Sequence, residues 1–335
     1  MARRGAQRSK KGTHSARENV IRATARILPI VLAASALAAA RPVLACSICR
    51  CGDPTFNALG LTGVALTGLR LALDWDSVQK SQGSTAHDDL ESVTEERETF
   101  LLGYSPSDDW SLFLRLPYST RDLTESEGGT VADTHTSGLA DPEVYGQRRL
   151  WASAFDASVG TRSSLFAVFG AKTDWGENDV ERDGARLDEH AQPGTGSTDW
   201  FGGFSGSHQL GRHSALFASV QYRATGDNEF GYEYGDILLG NFAYEHKLGS
   251  RFDGVIEANY RHADRDRVDA SGRLDPNTGG TVLYLTPRLL VNVGHGWIVR
   301  AAVQIPVVTD LNGEQDEDPV YNVGVTYLVS HGSMQ

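Results

Sequence analysis

The three cysteines of the chain stand together as Cys46-Ser47-Ile48-Cys49-Arg50-Cys51. Thiolates at this spacing suit a soft metal, Cu(I) or Zn(II). A closed zinc site wants a fourth ligand, and His213 and His295 stand on predicted turns facing the same compartment. Haem attachment needs a His directly after Cys-x-x-Cys, where this chain has Arg50. In an oxidising compartment the same residues also read as a disulfide with one odd cysteine, or as a lipid on Cys46 with a pair left over. A second set is a ladder of charges: Arg70, Arg115, Arg223, Arg261, Arg288 and Arg300, with Glu245 and Glu257 among them. On the polar face of alternating segments they share one interior, where they select ions or orient solutes, or pair with each other as a polar filling. A third set is acidic: Asp174, Glu177, Asp179, Glu181 and Asp183, then Asp310, Glu314, Asp316, Glu317 and Asp318. These clusters either collect divalent cations or remain solvated loops, and neither EF-hand spacing nor a Gly-rich phosphate loop accompanies them. His246 and His262 near strand ends do not make a Ser/His/acid set, so the chain reads as a non-enzyme.

Such residues need a scaffold with period two. Leu283, Leu285, Leu289, Val291 and Val293 alternate with Tyr284, Thr286, Arg288 and Asn292. Trp297, Val299, Ala301, Val303 and Ile305 alternate with Arg300 and Gln304 in the same way. One set faces lipid and the other a lumen. From about Gly60 to Ser330 such segments are joined by tight turns on one side and long acidic loops on the other, the longest over 174–195. The pattern predicts an all-β fold, a transmembrane antiparallel β-barrel of about 12 strands of ~10 residues each. Both termini would face the periplasm. A soluble β-sandwich alternates too, but the one-sided long loops and the aromatics at strand ends (Trp75, Tyr104, Trp110, Tyr118, Trp151, Trp297) favour the barrel.

Composition agrees. Only 40% of residues are hydrophobic, and nothing after residue 45 is long and apolar enough for a membrane helix. A barrel escapes that test, because half of each strand is polar. A net charge of -12 argues against nucleic acid as a partner. The basic Arg3, Arg4, Arg8, Lys10, Lys11, Arg22 and Arg26, the apolar run 27–40 and Val43-Leu44-Ala45 form an export signal. The expected organisation is a cleaved signal peptide over 1–45, a short periplasmic Cys-rich leader over 46–59, a barrel over 60–330 and a tail over 331–335, placed in the bacterial cell outer membrane.

Several short motifs carry a resemblance. Gly138-Leu139-Ala140-Asp141-Pro142, Gln192-Pro193-Gly194-Thr195-Gly196-Ser197, Gly235-Asp236, Asn277-Thr278-Gly279-Gly280 with Pro287, and Leu311-Asn312-Gly313-Glu314-Gln315 after Pro306 occur in this order over most of 60–330. They resemble the bacterial outer-membrane family called "MetA-pathway of phenol degradation", or simply "transporter". The resemblance implies an outer-membrane channel or transporter, in a family whose substrates are mostly undefined, and it supplies no catalytic residues. This chain departs from the family at Lys172-Thr173-Asp174, where Pro-Thr-Gly is frequent, and at its end, which lacks a terminal aromatic.

The expected function is therefore a porin-like channel or transporter passing small solutes or ions by passive diffusion through an Arg-lined lumen, with outer-membrane lipid around it. The alternative is a non-conducting barrel that anchors a metal-handling or electron-transfer assembly, with the Cys leader meeting a periplasmic partner. Mature protein prepared anaerobically, with Cys46 unlipidated, should bind about one Cu(I) or Zn(II) and lose it in a Cys49→Ser, Cys51→Ser double variant. Metal analysis and thiol titration check this, and free accessible thiols without stoichiometric metal would refute it.

Overall fold

The computed structural model describes residues 67–82, 90–127, 130–154, 156, 160–268 and 271–330. The signal segment, the leader with Cys46, Cys49 and Cys51, and the tail lie outside the described residues.

Alternating sequence becomes antiparallel strand throughout. The strands are β1 Gly68–Gln82, β2 Glu91–Ser107, β3 Trp110–Glu127, β4 Thr130–Leu139, β5 Glu143–Ala152, β6 Ser163–Lys172, β7 Glu181–Arg182, β8 Ala185–Arg186, β9 Asp199–Gln209, β10 Ser214–Ala224, β11 Ile237–Lys247, β12 Phe252–Ala263, β13 Gly280–Gly294, β14 Trp297–Leu311, β15 Gln315–Glu317 and β16 Val320–Ser330. All but the β7–β8 hairpin belong to one sheet. It closes because β1 pairs with β2 on one side and β16 on the other, so the ring has no open seam; among its described strands only the extensions β4 and β15 pair on one side alone.

Two staves of the barrel are broken. β4 and β5 lie end to end along β3, and β15 and β16 end to end along β1. The breaks fall at Asp141-Pro142 and Asp318-Pro319. Proline has no N–H for the ladder and holds its predecessor extended, so pairing stops there and resumes beyond it. With each broken stave taken as one, the barrel has 12 strands.

The outside is apolar and the inside polar, the reverse of a soluble protein. On β13, Leu285 and Leu289 are exposed while Thr286, Arg288 and Leu290 between and after them are buried. Phe100, Leu112, Phe169, Phe204, Phe242, Ile256 and Val323 continue the exposed apolar belt around the barrel. Trp75 and Tyr118 both stand opposite Glu98, at one level, and Trp110 marks the other border of β3. Trp110 and Tyr118 are eight residues apart, ~27 Å along a strand, which is ~21 Å of height at a barrel strand tilt of ~40° and lies close to a lipid band of ~25 Å. The chain is an outer-membrane β-barrel.

The strands outrun that band. β3 has 18 residues, where ~10 suffice to cross. The polar sequence from Asp76 to about Thr94 predicts a loop, yet residues 76–82 and 91–94 are strand, because above the lipid an alternating segment can be polar on both faces and still keep its ladder. At the opposite end the turns are tight: His295 and Gly296 take φ 53 and 85, the left-handed pair of a two-residue hairpin turn.

Leu289→Lys, at mid-belt, should cost about 2–4 kcal/mol, while Leu274→Lys, on an exposed loop, should stay within about 0.5 kcal/mol. Denaturant unfolding from lipid vesicles measures both.

Candidate functional site

Period two sends Arg70, Arg115, Arg223, Arg261, Arg288 and Arg300, with Glu245 and Glu257, to the buried or half-buried face of their strands. In a closed ring a buried charge needs a partner, and most of these find one on another strand. Arg115 donates to Glu143 (2.8 Å) and Arg223 to the same carboxylate (2.5 Å). Arg223 also lies 3.6 Å from Asp199, which is 3.3 Å from Lys172, which is 3.0 Å from Asp141. Arg115, Glu143, Arg223, Asp199, Lys172 and Asp141 thus form one chain of alternating charge across β3, β5, β10, β9 and β6.

On the far wall Arg288 donates to Glu257 (2.7 Å) and to Asn322 (3.2 Å), and Asn322 donates to Asp76 (2.8 Å). Arg300 reaches Asp74 of β1 across the intervening β16 (2.9 Å). The residue of β16 between them is Gly324, where a Cβ would overlap Asp74 and stand 2.8 Å from Arg300 Nε. Glycine is required there by close approach. Nearer the end with the folded loops Lys80 pairs with Glu317 (2.9 Å), with Arg261 3.8 Å away. Arg70 lies over the Phe113 ring at 5.9 Å. Glu245 takes part in none of these pairs.

Sequence reasoning missed the carboxylate half of the network. Asp74 and Asp76 share the parity of Arg70 on β1 and were readable in principle; Asp141 stood only in a motif, and nothing in the local pattern singled out Glu143 or Asp199. Lys172, noted only as a departure from the family pattern, joins Asp141 to Asp199. An aromatic stripe was missed as well. Phe113 stacks on Tyr145 with centroids 4.6 Å apart, Tyr145 meets Phe201 at 6.2 Å, and Arg223 lies 5.0 Å from the Phe201 ring centroid.

Some buried polar atoms on this inner face have no hydrogen-bond partner. Among the described residues they include Thr286 Oγ1, Arg288 Nη2 and Gln304 Nε2 on β13 and β14, Ser205 Oγ, Ser219 Oγ and Gln221 Oε1 on β9 and β10, and Thr99 Oγ1 on β2.

The mouth is filled by folded loops. The expectation of solvated acidic loops fails for the second half of 174–195: Ala191 and Gln192 are buried, although Asp174, Glu177, Asp179, Glu181 and Asp183 are exposed. The reason is a set of bonds that the motifs supply. Asp141 accepts from Thr195 N (2.7 Å), Thr195 Oγ1 (2.6 Å) and Gly176 N (3.1 Å). Arg121 donates to the His190 carbonyl (2.9 Å) and Thr136 to that of Ala191 (2.5 Å). Ala191 joins Val93, Leu123, Tyr232 and Tyr234 in a small apolar core inside the rim. Asp266 accepts from Gly235 N and Tyr232 Oη (2.8 and 2.7 Å), and Asn312 ties Arg265 to the Thr278 carbonyl. Glu317, also expected in a solvated loop, is a buried residue of β15.

A short 3-10 turn, Glu189–Ala191, brings His190 against the wall, where Glu91 and Asp188 each stand 3.1 Å from its Nδ1. Burial alone would lower the His190 pKa; the charge of Glu91 and the hydrogen bonds that the imidazole donates to Asp188 and Glu91 outweigh it and raise the value well above the usual one.

No protein-family model and no curated protein matches the chain. Solved structures do. The COG4313 outer membrane channel from Pseudomonas putida F1 aligns at a TM-score of 0.59 and 11% identity over 78% of this chain and 96% of that one. This likeness shows the fold. The CymD monoaromatic hydrocarbon channel (TM-score 0.42, 8% identity, 84% and 92% covered) and the Ralstonia pickettii toluene transporter TbuX (0.41, 9%, 82% and 92%) are more distant.

Asp141→Ala should leave the barrel folded but release the loop. Removing one partner of a buried ion pair costs about 3–5 kcal/mol, and limited proteolysis should then cut within 174–195 faster than in wild type.

Proposed function

We propose that the chain is a passive outer-membrane channel for small solutes or ions, whose selectivity is set by the arginines of its inner face. The observation that carries this reading is a closed barrel whose inner face bears arginines, carboxylates and amides, where a barrel serving only as an anchor could fill its interior with apolar side chains. Charged groups along an interior path are what select ions or orient solutes.

In this reading Arg288, Arg300 and Arg223 are fixed cations along the path. An acceptor group on a solute exchanges with a carboxylate partner at each, and passage is fast only if each site binds weakly. The stripe of Phe113, Tyr145 and Phe201 beside Arg70, Arg115 and Arg223 suits solutes with a flat apolar body and an acceptor group. The resemblance to the phenol-degradation transporters points the same way, and extending the channel role of the COG4313 protein to this chain belongs to this proposal. Transport of this kind needs no covalent chemistry and no cofactor.

A second reading rests on the clustering of Cys46, Cys49 and Cys51. It makes the barrel a non-conducting anchor and the leader the working part of a metal-handling or electron-transfer assembly, with a periplasmic partner.

Planar bilayers separate the two. Purified protein should give discrete ion steps, and Arg288→Gln or Arg300→Gln should shift the reversal potential in a salt gradient toward cations, because a fixed positive charge is lost. A folded barrel that is electrically silent yet binds Cu(I) or Zn(II) at its cysteines would favour the anchor.

A further inference from the structure

We propose that Glu91, Asp188 and His190 form a divalent transition-metal site at the extracellular mouth, with Zn(II) as the fitting ion, which ties the inward-folded loop to the barrel wall.

Three observations support it. First, the donors converge from separate elements: Glu91 opens β2, whereas Asp188 and His190 belong to the loop between β6 and β9. One ligand atom from each lies within 4.8 Å of the others. Second, the spacing fits. Zinc bonds of ~2.0–2.1 Å in a tetrahedral site place neighbouring ligand atoms ~3.3 Å apart; both carboxylates stand 3.1 Å from His190 Nδ1. An imidazole and two carboxylates are a borderline donor set that zinc accepts and that hard cations such as Mg(II) use less readily. Third, the site has a closed and an open side. The His190 side chain is 6% exposed and that of Asp188 is 54% exposed, which leaves an entry path and a fourth position for water. The Asp188 carboxylate is already oriented, since it accepts from His190 N at 2.8 Å.

The local charge agrees. Two carboxylates and one imidazole carry net negative charge in either protonation state of the histidine, so a dication neutralises what the three side chains alone leave over.

Bound metal would stiffen the junction between loop and rim. The His190 carbonyl already accepts from Arg121, and the next residue joins the apolar core of the mouth. A metal on the side chain adds a third attachment at that point.

The test uses the mature chain in detergent micelles, with its thiols alkylated so that the leader cysteines take no metal. Calorimetric titration with zinc chloride should give one Zn(II) per chain, and His190→Gln and Glu91→Gln should each weaken binding on the order of tenfold or more. Zinc should also slow proteolysis within 174–195 in wild type and not in the variants. Heat-modifiable gel mobility shows which variants keep the barrel; if His190→Gln does not fold, Glu91→Gln decides. Absence of stoichiometric zinc binding in wild type, or unchanged affinity in a folded variant, overturns the proposal.

Discussion

The structure depends on one constraint: inside a closed ring of strands, a charge withdrawn from bulk water must meet its opposite on a nearby strand of the same inner wall. Arg300 with Asp74, Arg288 with Glu257, and the chain from Arg115 through Glu143, Arg223, Asp199 and Lys172 to Asp141 are the outcome. Such pairs contribute little net stability over an apolar filling, but loss of one partner is costly. They therefore act chiefly as a specification of which strands lie near one another. Gly324 shows how far this reaches, since a backbone position on β16 is restricted by a pair formed between β1 and β14.

The same constraint couples wall to mouth. Asp141 sits at a break in a barrel stave and is at once the last member of the charge chain and the acceptor for Thr195 and Gly176. The broken strand is thus the hinge point at which inner charge and inward loop are joined. The motifs that carry the family resemblance cluster at this junction and at the Asp266 and Asn312 knots. Their chemistry is that of short side chains that bond backbone groups, which loops held close to a wall require.

Several elements were legible because their signals are local. Alternation in residues 283–305 gave both faces of β13 and β14, since a period of two survives any tertiary context. Trp75, Tyr104, Trp110 and Tyr118 marked the lipid borders. Trp75 and Tyr118 mark a border without ending a strand, however, and the continuation of β1, β2 and β3 above it was not readable: a segment polar on both faces looks like a loop until its partner is known. The acidic loop over 174–195 misled in a similar way. Asp174, Glu177, Asp179, Glu181 and Asp183 are exposed as expected, but Glu189, His190, Ala191 and Gln192 turn inward, and only the fold supplies their partners.

The sequence by itself determined the class of the fold, the inner and outer face of the clearly alternating strands, and the positions of Arg70, Arg115, Arg223, Glu245, Glu257, Arg261, Arg288 and Arg300 on the polar face. These follow from nearest-neighbour geometry along one chain. Which carboxylate each arginine meets, where the staves break and pairing resumes, and the meeting of Glu91 with His190 were decided by tertiary structure alone. Those partners are far apart in sequence, and they come together only when the ring closes and fixes the stagger of every strand on the next.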